Sequence, residues 1–281
     1  MYVVTTVNEI RKIIKQKRQE GKTVGLVPTM GYFHQGHLSL MEQAREHTDF
    51  VVVSLFVNPT QFGPGEDFET YPRDLEKDKK MAEGEKVDVI FAPSAEEMYP
   101  KEFSTSVIVE RLTEGLCGRR RPGHFQGVTT VVSKLFNSVM PDKAFFGQKD
   151  GQQFLVIKRM VEDLNIPVEM VAVSTVREKD GLAMSSRNSY LDAEQRKAAV
   201  ILYRSLCRAS ESIKDGERDA DNIIAEIQQV LKSEPLAKVE YVEIRDRVSL
   251  SEMREIKGKI IIALAVRIGQ TRLIDNFMLD V

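Results

Sequence analysis

Segment 50–57 restricts the possible folds of this chain most strongly, because it is apolar at every position except Ser54. A strand with one face in water alternates apolar and polar residues, whereas a strand buried on both faces does not. Strands of the second kind belong to parallel sheets, whose crossover connections place helices on both faces. The segment therefore predicts a central strand of an α/β fold.

Strand-like and helix-like segments alternate on both sides of this central strand. Further strands are predicted at 23–27, 87–91, 144–146 and 168–173. Helices are predicted near 7–14 and at 37–45, 75–84, 128–139 and 152–164. Such alternation is typical of βαβ units. It predicts a Rossmann-like, doubly wound parallel sheet in a first domain, residues 1–175.

Residues 176–281 show a different pattern and are predicted to form a smaller domain. Two long segments with helical periodicity, 193–213 and 220–231, contain no glycine. Three segments with strand character follow at 239–244, 259–266 and 271–277. The pattern predicts a C-terminal α+β domain with a small antiparallel sheet flanked by two helices. A hinge at its start would let this domain close over a ligand as a lid.

The composition favours a soluble globular protein, with 42% hydrophobic and 29% charged residues and a formal net charge of −2. This charge balance does not indicate a nucleic-acid partner. Cys117 and Cys207 are far apart in sequence, which predicts neither a disulfide framework nor a zinc site. Residues 1–6 lack the features of a signal peptide, and no apolar run approaches the roughly twenty residues of a membrane span. We therefore expect a cytoplasmic protein that does not bind membranes.

The connection between strand 23–27 and helix 37–45 carries the most informative chemistry. It contains Met30, Gly31, His34, Gly36 and His37. A helix N-terminus directs unpaired N–H groups and the positive end of its dipole at an anion, and two imidazoles add further donors. These features predict phosphate binding at a helix that is entered through Gly36. The alternatives are metal ligation by the two histidines and ordinary hydrogen bonding within the turn.

A second candidate segment follows strand 144–146. It consists of Gly147, Gln148, Lys149 and Asp150. In open parallel sheets, ligands collect outside the carboxyl ends of the strands. A lysine after a glycine at such an edge is suited to phosphate or ribose contacts, although a solvated surface lysine is the alternative.

A third candidate segment lies further along the chain. It consists of Met184, Ser185, Ser186 and Arg187. Two hydroxyls, their backbone amides and a guanidinium can clamp an anion, and together with the first motif they predict a triphosphate site. The alternative is a surface turn with an incidental arginine. Among the three arginines at 119–121, we select Arg121 as a candidate for binding a small anion.

Taken in order, these motifs together with segments 56–62, 121–125 and 152–153 resemble the pantoate-beta-alanine ligase family through essentially the whole chain. The first motif is similar to the His-x-Gly-His signature of nucleotidyltransferases and class I aminoacyl-tRNA synthetases. The resemblance implies ATP-dependent condensation of (R)-pantoate with beta-alanine, giving pantothenate, AMP and pyrophosphate through a noncovalent pantoyl adenylate. It also implies ATP and pantoate binding by residues 1–175, a lid formed by residues 176–281, and a homodimer.

The resemblance implies roles for individual residues. Its catalytic residues are His37, His34, Lys149 and Arg187. Its ATP-binding residues are Met30, Gly31, His34, Gly36, His37, Gly147, Gln148, Lys149, Asp150, Val176, Met184, Ser185, Ser186 and Arg187. Its pantoate and beta-alanine residues are Gln61, Gln153, Asn58, Phe62 and Met30, with Val131 and Val132 as neighbours. Magnesium is expected mostly on the ATP phosphates, with Asp78 as a candidate protein ligand.

Two other functional classes fit part of the pattern. An adenylyltransferase that makes a dinucleotide such as dephospho-coenzyme A would share the fold and the first motif, but it would not need both Gln61 and Gln153. A catalytically silent nucleotide-binding module would share the fold alone. The presence of His34, His37, Lys149 and Arg187 together argues against the silent module.

Overall fold

The computed structural model describes residues 1–281, which form two compact units. The first unit comprises Met1–Val109, Arg121–Gln148 and Val156–Ser174, and the second comprises Glu110–Arg120, Lys149–Leu155 and Thr175–Val281. The expected division of labour, with a nucleotide- and pantoate-binding domain at 1–175 and a lid at 176–281, stays a prediction.

Ten helices and nine strands make up the two units. The strands are β1 Tyr2–Val4, β2 Val24–Thr29, β3 Phe50–Leu55, β4 Val89–Phe91, β5 Lys143–Gly147, β6 Glu169–Val173, β7 Ala237–Asp246, β8 Lys259–Ile268 and β9 Thr271–Asp280. The helices are α1 Val7–Gln19, α2 Gln35–His47, α3 Leu75–Gly84, α4 Ala95–Met98, α5 Leu116–Arg120, α6 His124–Val139, α7 Gly151–Asp163, α8 Ala193–Ala198, α9 Ile201–Lys214 and α10 Ala220–Lys232. None of these helices has both the length and the apolar composition needed to cross a membrane.

The first unit contains a six-stranded sheet in the order β1-β4-β3-β2-β5-β6, in which every neighbouring pair is parallel. Successive strands β2, β3 and β4 proceed in one direction across the sheet, and β5 and β6 proceed in the other. The order therefore reverses between β2 and β5, which is the topological switch point of a doubly wound sheet. The predicted α/β, Rossmann-like fold is confirmed.

Burial explains why the central strands of this sheet are apolar along most of their length. The first five residues of β3 are buried, and Val51, Val52 and Val53 have no exposed surface. Helix α2 places Leu40, Met41 and Ala44 against one face of the sheet, in a cluster with Val27 and Phe145. Each large apolar side chain buried in this way contributes about 1.5–3 kcal/mol.

The second unit contains an antiparallel sheet in the order β7-β8-β9. The central strand β8 is buried from Ile260 to Val266, and α9 and α10 contribute Leu206 and Ile227 to the same core. The predicted α+β arrangement is confirmed. The expected continuous helix at 193–213 is wrong, because α8 and α9 are separate helices. Residues 199 and 200 make i to i+3 hydrogen bonds at this point, a local tightening that leaves the apolar period unchanged.

Candidate active site

Three of the expected motifs lie at the same edge of the parallel sheet. Residues 30–37 follow β2, residues 58–61 follow β3, and residues 147–148 lie at the end of β5. Because β3, β2 and β5 are consecutive neighbours and parallel, their carboxyl ends share one edge of the sheet. This edge contains the switch point, where open α/β sheets bind their ligands.

A buried carboxylate holds the turn after β2. Gly31 and Tyr32 have left-handed backbones, with φ of 83° and 54°. Asp78 lies on α3 with 1% of its surface exposed, and its two oxygens accept hydrogen bonds from the N–H groups of Tyr32 and Phe33, both at 2.7 Å. Tyr32 incurs a steric cost for its positive φ. The Asp78 carboxylate therefore fixes a turn that the backbone alone disfavours.

The contacts of Asp78 bear on its expected role as a magnesium ligand. Burial raises the pKa of Asp78, and the two backbone N–H groups oppose that rise only in part. Both oxygens of Asp78 face protein donors, and no group of three or more His, Cys, Asp or Glu side chains in the structure could hold a metal ion. The contacts give Asp78 a structural task in the turn, and its implied role at a magnesium site stays a prediction.

The two histidines of the turn cap helix α2, and backbone N–H groups fix the tautomers of both rings. His34 is the N-cap residue, and its Nδ1 accepts a hydrogen bond from the N–H of Gly36 at 3.1 Å. His37 Nδ1 accepts one from the N–H of His34 at 3.3 Å, and the ring centroids are 4.1 Å apart. A neutral imidazole that accepts through Nδ1 carries its proton on Nε2. Both rings are therefore assigned as Nε2–H donors.

The helix begins two residues earlier than the sequence indicated. Helix α2 starts at Gln35, so Gly36 lies inside its first turn and His34 replaces the expected glycine entry. Imidazoles are unusual capping groups, because Ser, Thr, Asp and Asn are preferred at the N-cap. The sequence therefore suggested the helix but not the capping role of its histidines.

The 3-10 turn Pro59–Gln61, which follows β3, presents the side chain of Gln61. Asn58 Nδ2 donates to Gln61 Oε1 at 3.1 Å and to the carbonyl of Gly127 on α6, also at 3.1 Å. Tyr99 Oη donates to Asn58 Oδ1 at 2.8 Å, which fixes the orientation of the Asn58 amide. Since the Gln61 oxygen is used by Asn58, Gln61 Nε2 is the donor, and it donates to Met30 Sδ at 3.1 Å.

A network of charged and polar side chains supports the Pro59–Gln61 turn. Arg121 forms an ion pair with Glu66 in which Nε and Nη2 donate at 2.6 and 2.5 Å. Its Nη1 lies 3.0 Å from His124 Nε2, and His124 Nδ1 lies 2.8 Å from the carbonyl oxygen of Gln61. Because that carbonyl is only an acceptor, His124 donates through Nδ1 and accepts from Arg121 through Nε2. Arg121, selected from the sequence as an anion-binding residue, is thus already paired with a carboxylate.

The Glu66–Arg121 ion pair predicts a pH dependence of stability. Burial raises the pKa of Glu66, but hydrogen bonds and attraction from Arg121 outweigh this effect and lower the pKa below its usual 4.5. A carboxyl whose pKa is lowered by folding stabilises the native state above its unfolded pKa and loses this contribution as pH falls through the folded value. We expect Glu66→Gln to lower the free energy of unfolding at pH 7, with the difference from the native chain shrinking below about pH 4.5 in urea titrations. A difference that stays constant down to about pH 3 would contradict this prediction.

Phe62, Val131 and Val132 are the other pocket residues that were expected in the first unit. Phe62 packs edge-on against Phe68 and Tyr71, with ring centroids 5.4 and 6.0 Å away. Val131 and Val132 are buried in α6. Phe62 therefore belongs to an aromatic cluster beside the Gln61 turn.

The remaining expected residues belong to the second unit. Lys149 and Asp150 lie in a 3-10 turn before α7, with Lys149 Nζ 3.4 Å from Asp150 Oδ1. Of the two neighbouring glutamines on α7, Gln152 is buried and donates to the carbonyls of Leu112 and Gly115, whereas Gln153 is only partly buried. Gln152 is therefore structural, and Gln153 keeps its expected role as a prediction.

The polar segment 184–187 is carried by a short hairpin. The N–H of Met184 donates to the carbonyl of Val176 at 3.0 Å, closing the hairpin. Ser185 caps the following 3-10 turn, Ser186–Tyr190, by accepting from the N–H of Arg187 at 3.3 Å. Ser186 is buried. The hairpin thus holds the expected anion clamp as a defined backbone turn.

The chain is similar to known proteins over its whole length. The sequence model of the family described as pantoate-beta-alanine ligase matches residues 2–278. A pantothenate synthetase from Pelotomaculum thermopropionicum is 58% identical over 279 residues, which is 99% of each chain. Another from Heliobacterium modesticaldum is 57% identical over 281 residues, covering all of both chains.

Solved structures give the same result. The crystal structure of pantothenate synthetase from Thermus thermophilus superimposes with a TM-score of 0.94 and 47% identity over 99% of both chains. A pantoate-beta-alanine ligase from Francisella tularensis, complexed with beta-gamma ATP and beta-alanine, gives a TM-score of 0.81 and 32% identity over 99% of this chain and 97% of the other. With full-length similarity in both sequence and structure, the chain belongs to the pantoate-beta-alanine ligase family.

Proposed function

We propose that this ligase condenses (R)-pantoate with beta-alanine at the expense of ATP, through a noncovalent pantoyl adenylate. In the first step, a pantoate carboxylate oxygen attacks the α-phosphorus of ATP and pyrophosphate leaves. In the second, the amine of beta-alanine attacks the acyl carbon, loses a proton and displaces AMP. The products are pantothenate, AMP and pyrophosphate.

The observation that carries this proposal is the contact between Gln61 Nε2 and Met30 Sδ at 3.1 Å. It places an uncharged amide donor beside the turn that bears His34 and His37. An amide can bind the hydroxyls and carboxylate of pantoate without the ion pair that would weaken the carboxylate as a nucleophile. The two imidazole Nε2–H groups are suited to phosphate oxygens, on which negative charge develops as pyrophosphate leaves.

In the second unit, the side chains of Lys149, Ser186 and Arg187 supply cations and a hydroxyl for the triphosphate. Phosphoryl transfer depends mainly on positioning and charge stabilisation, so such groups are the expected machinery. Gly31, Gly36, Gly147, Gln148, Asp150, Val176, Met184 and Ser185 complete the proposed ATP contacts, and Asn58, Phe62 and Gln153 the proposed acid and amine contacts.

Magnesium enters as part of the substrate, Mg·ATP. Magnesium keeps several waters and binds substrate phosphates readily, so a site built from many protein ligands is unnecessary. The chain's own carboxylates do not form such a site, as the contacts of Asp78 illustrate. A homodimer and a cytoplasmic location, both implied by the resemblance, stay predictions.

The test is pyrophosphate–ATP isotope exchange with magnesium and (R)-pantoate in the absence of beta-alanine. We expect exchange that requires pantoate, because adenylate formation is reversible. Gln61→Ala should reduce exchange by about 10-fold or more at low pantoate, since a buried donor to the substrate is lost. Gln16→Ala, at an exposed glutamine of α1, serves as the matched control and should exchange normally.

Two results would contradict the proposal. A folded protein that binds ATP but shows no pantoate-dependent exchange would favour the adenylyltransferase or the silent module. If Gln61→Ala raised the Km for ATP and the Km for pantoate equally, Gln61 would not be a pantoate ligand.

A further inference from the structure

We propose that Asp275 and Asn276, adjacent residues of β9, are positioning residues for both phosphate-binding segments of the second unit. These segments are 149–151, with Lys149, and 176–187, with Arg187. The inference rests on the proposed function, because it takes Lys149 and Arg187 as ATP ligands. Neither Asp275 nor Asn276 belongs to a motif identified in the sequence.

Asp275 holds the hairpin through Arg177. The carboxylate has 2% of its surface exposed and accepts two hydrogen bonds from Arg177, from Nη1 at 2.6 Å and from Nη2 at 2.9 Å, and a third from the N–H of Asn276 at 2.8 Å. Arg177 Nη1 also donates to the carbonyl of Gly181 at 3.0 Å, which lies at the tip of the hairpin. A planar guanidinium paired with a carboxylate through two bonds has a fixed direction as well as a fixed distance. The hairpin is therefore oriented by β9.

Two aromatic rings complete this attachment. The Arg177 guanidinium carbon is 4.6 Å from the centroid of the Tyr203 ring and 5.4 Å from that of Phe277. Gly181 has a φ of 95°, and a Cβ there would lie 1.9 Å from a Tyr203 ring carbon. The hairpin thus packs directly on Tyr203, and Leu182 enters the hydrophobic core of the unit. Sliding of the hairpin would break these contacts together.

Asn276 holds the lysine segment from the same strand. Its Nδ2 donates to the carbonyl oxygen of Lys149 at 2.7 Å. A Cβ on Gly151 would lie 2.9 Å from Asn276 Oδ1 and 2.9 Å from Met278 Cε, so the backbone of this segment lies against β9. The Lys149 backbone is therefore fixed both by a hydrogen bond and by close packing.

Consecutive residues of one strand have a fixed separation, so β9 sets the distance between the two segments. Groups that bind different oxygens of one triphosphate need such a constraint, because a displacement of about 1 Å can cost 10²-fold in rate. Residues that orient ligand-binding groups without touching the ligand act in this way.

The test is a set of double-mutant cycles, with ATP affinity measured by calorimetry without pantoate and the rate measured by exchange with pantoate. Asp275→Asn should weaken ATP binding about 10-fold in the native chain but less than about twofold in an Arg187→Ala background. Asn276→Ala should behave in the same way toward Lys149→Ala. Crossed pairs, such as Asp275→Asn with Lys149→Ala, should keep the full effect of each change.

General destabilisation would reduce affinity by the same factor in every background, and that result would overturn the inference. Absence of exchange by the native chain would instead overturn the proposed function. Asp280→Asn is the matched control, because Asp280 also lies on β9 but forms an exposed ion pair with Arg247 outside both segments, and it should change affinity less than about twofold. If thermal melting shows that Asp275→Asn does not fold, Arg177→Lys replaces it, since it keeps the charge but loses the paired geometry.

Discussion

His37→Glu is expected to remove almost all activity while leaving the folded protein as stable as before. Glutamate is a favoured residue at the third helical position, where it can accept the N–H of His34 as the imidazole now does. A carboxylate near a helix N-terminus also contributes about 0.3–1 kcal/mol of stability. The same carboxylate would repel the triphosphate in place of an Nε2–H donor. Because loss of a single donor costs about 10²–10³-fold, we expect kcat/KM for ATP to fall by about 10³-fold or more.

His47→Glu is the control for this experiment, because it should affect stability and not activity. His47 lies exposed in the last turn of the same helix, where a negative charge opposes the helix dipole. We expect this variant to melt at a slightly lower temperature with unchanged kcat/KM. Steady-state kinetics and calorimetric melting of both variants would therefore separate activity from stability. Near-normal turnover by a folded His37→Glu protein would refute the assigned role of His37.

The sheet could be predicted well because its central strands are buried on both faces. Segment 50–57 stayed apolar throughout, and a parallel sheet then requires the helices that the periodicity also indicated. The edge strand β1 was not predicted, because three residues, two of them exposed, carry no usable period. The interruption at residues 199–200 was missed for a related reason, since the apolar period continues across it.

The candidate site could be predicted only where neighbouring residues carry the chemistry. His34 and His37 lie three positions apart and follow a strand, so their place at a helix N-terminus could be inferred. The network around Gln61 joins Glu66 to Arg121, 55 positions away, and no local pattern reports such a pairing. His124 lies in segment 121–125, whose similarity to the family was the only sequence signal for this residue.

The positioning role of Asp275 and Asn276 on β9 could not be predicted from the sequence either. Asp275 and Arg177 are 98 positions apart, and each alone looks like an ordinary surface charge. Their burial becomes apparent only when the hairpin packs on Tyr203 and Phe277. Groups that position other residues are selected by three-dimensional fit, so their residue types need not form a recognisable spacing.

Gly127→Ala is expected to impair pantoate use selectively, although residue 127 is assigned no contact with substrate. A Cβ at this position of α6 would lie 2.4 Å from the carbonyl oxygen of Thr60 and 2.7 Å from the Cα of Gln61. Both are backbone atoms, so a side-chain rotation cannot relieve the overlap, and the Pro59–Gln61 turn must move. Overpacking of this kind costs about 1–3 kcal/mol of stability. The displacement should reduce kcat/KM for pantoate by about 10–100-fold, because positioning errors near 1 Å have effects of that size.

The difference between the effects on pantoate and on ATP shows whether only the Gln61 turn has moved. The turn holding Gln61 would be displaced, whereas the Asp78 bonds that hold the His34 turn involve α3 and would remain. We therefore expect the Km for ATP to change less than about threefold, a bound well below the positioning effect on pantoate. Gly84→Ala is the matched control, since a Cβ there meets nothing within 4 Å and alanine favours the helix. Equal losses for ATP and pantoate would mean that the substitution disturbs the whole sheet edge, and the assignment of Gln61 to the pantoate site would lose its support.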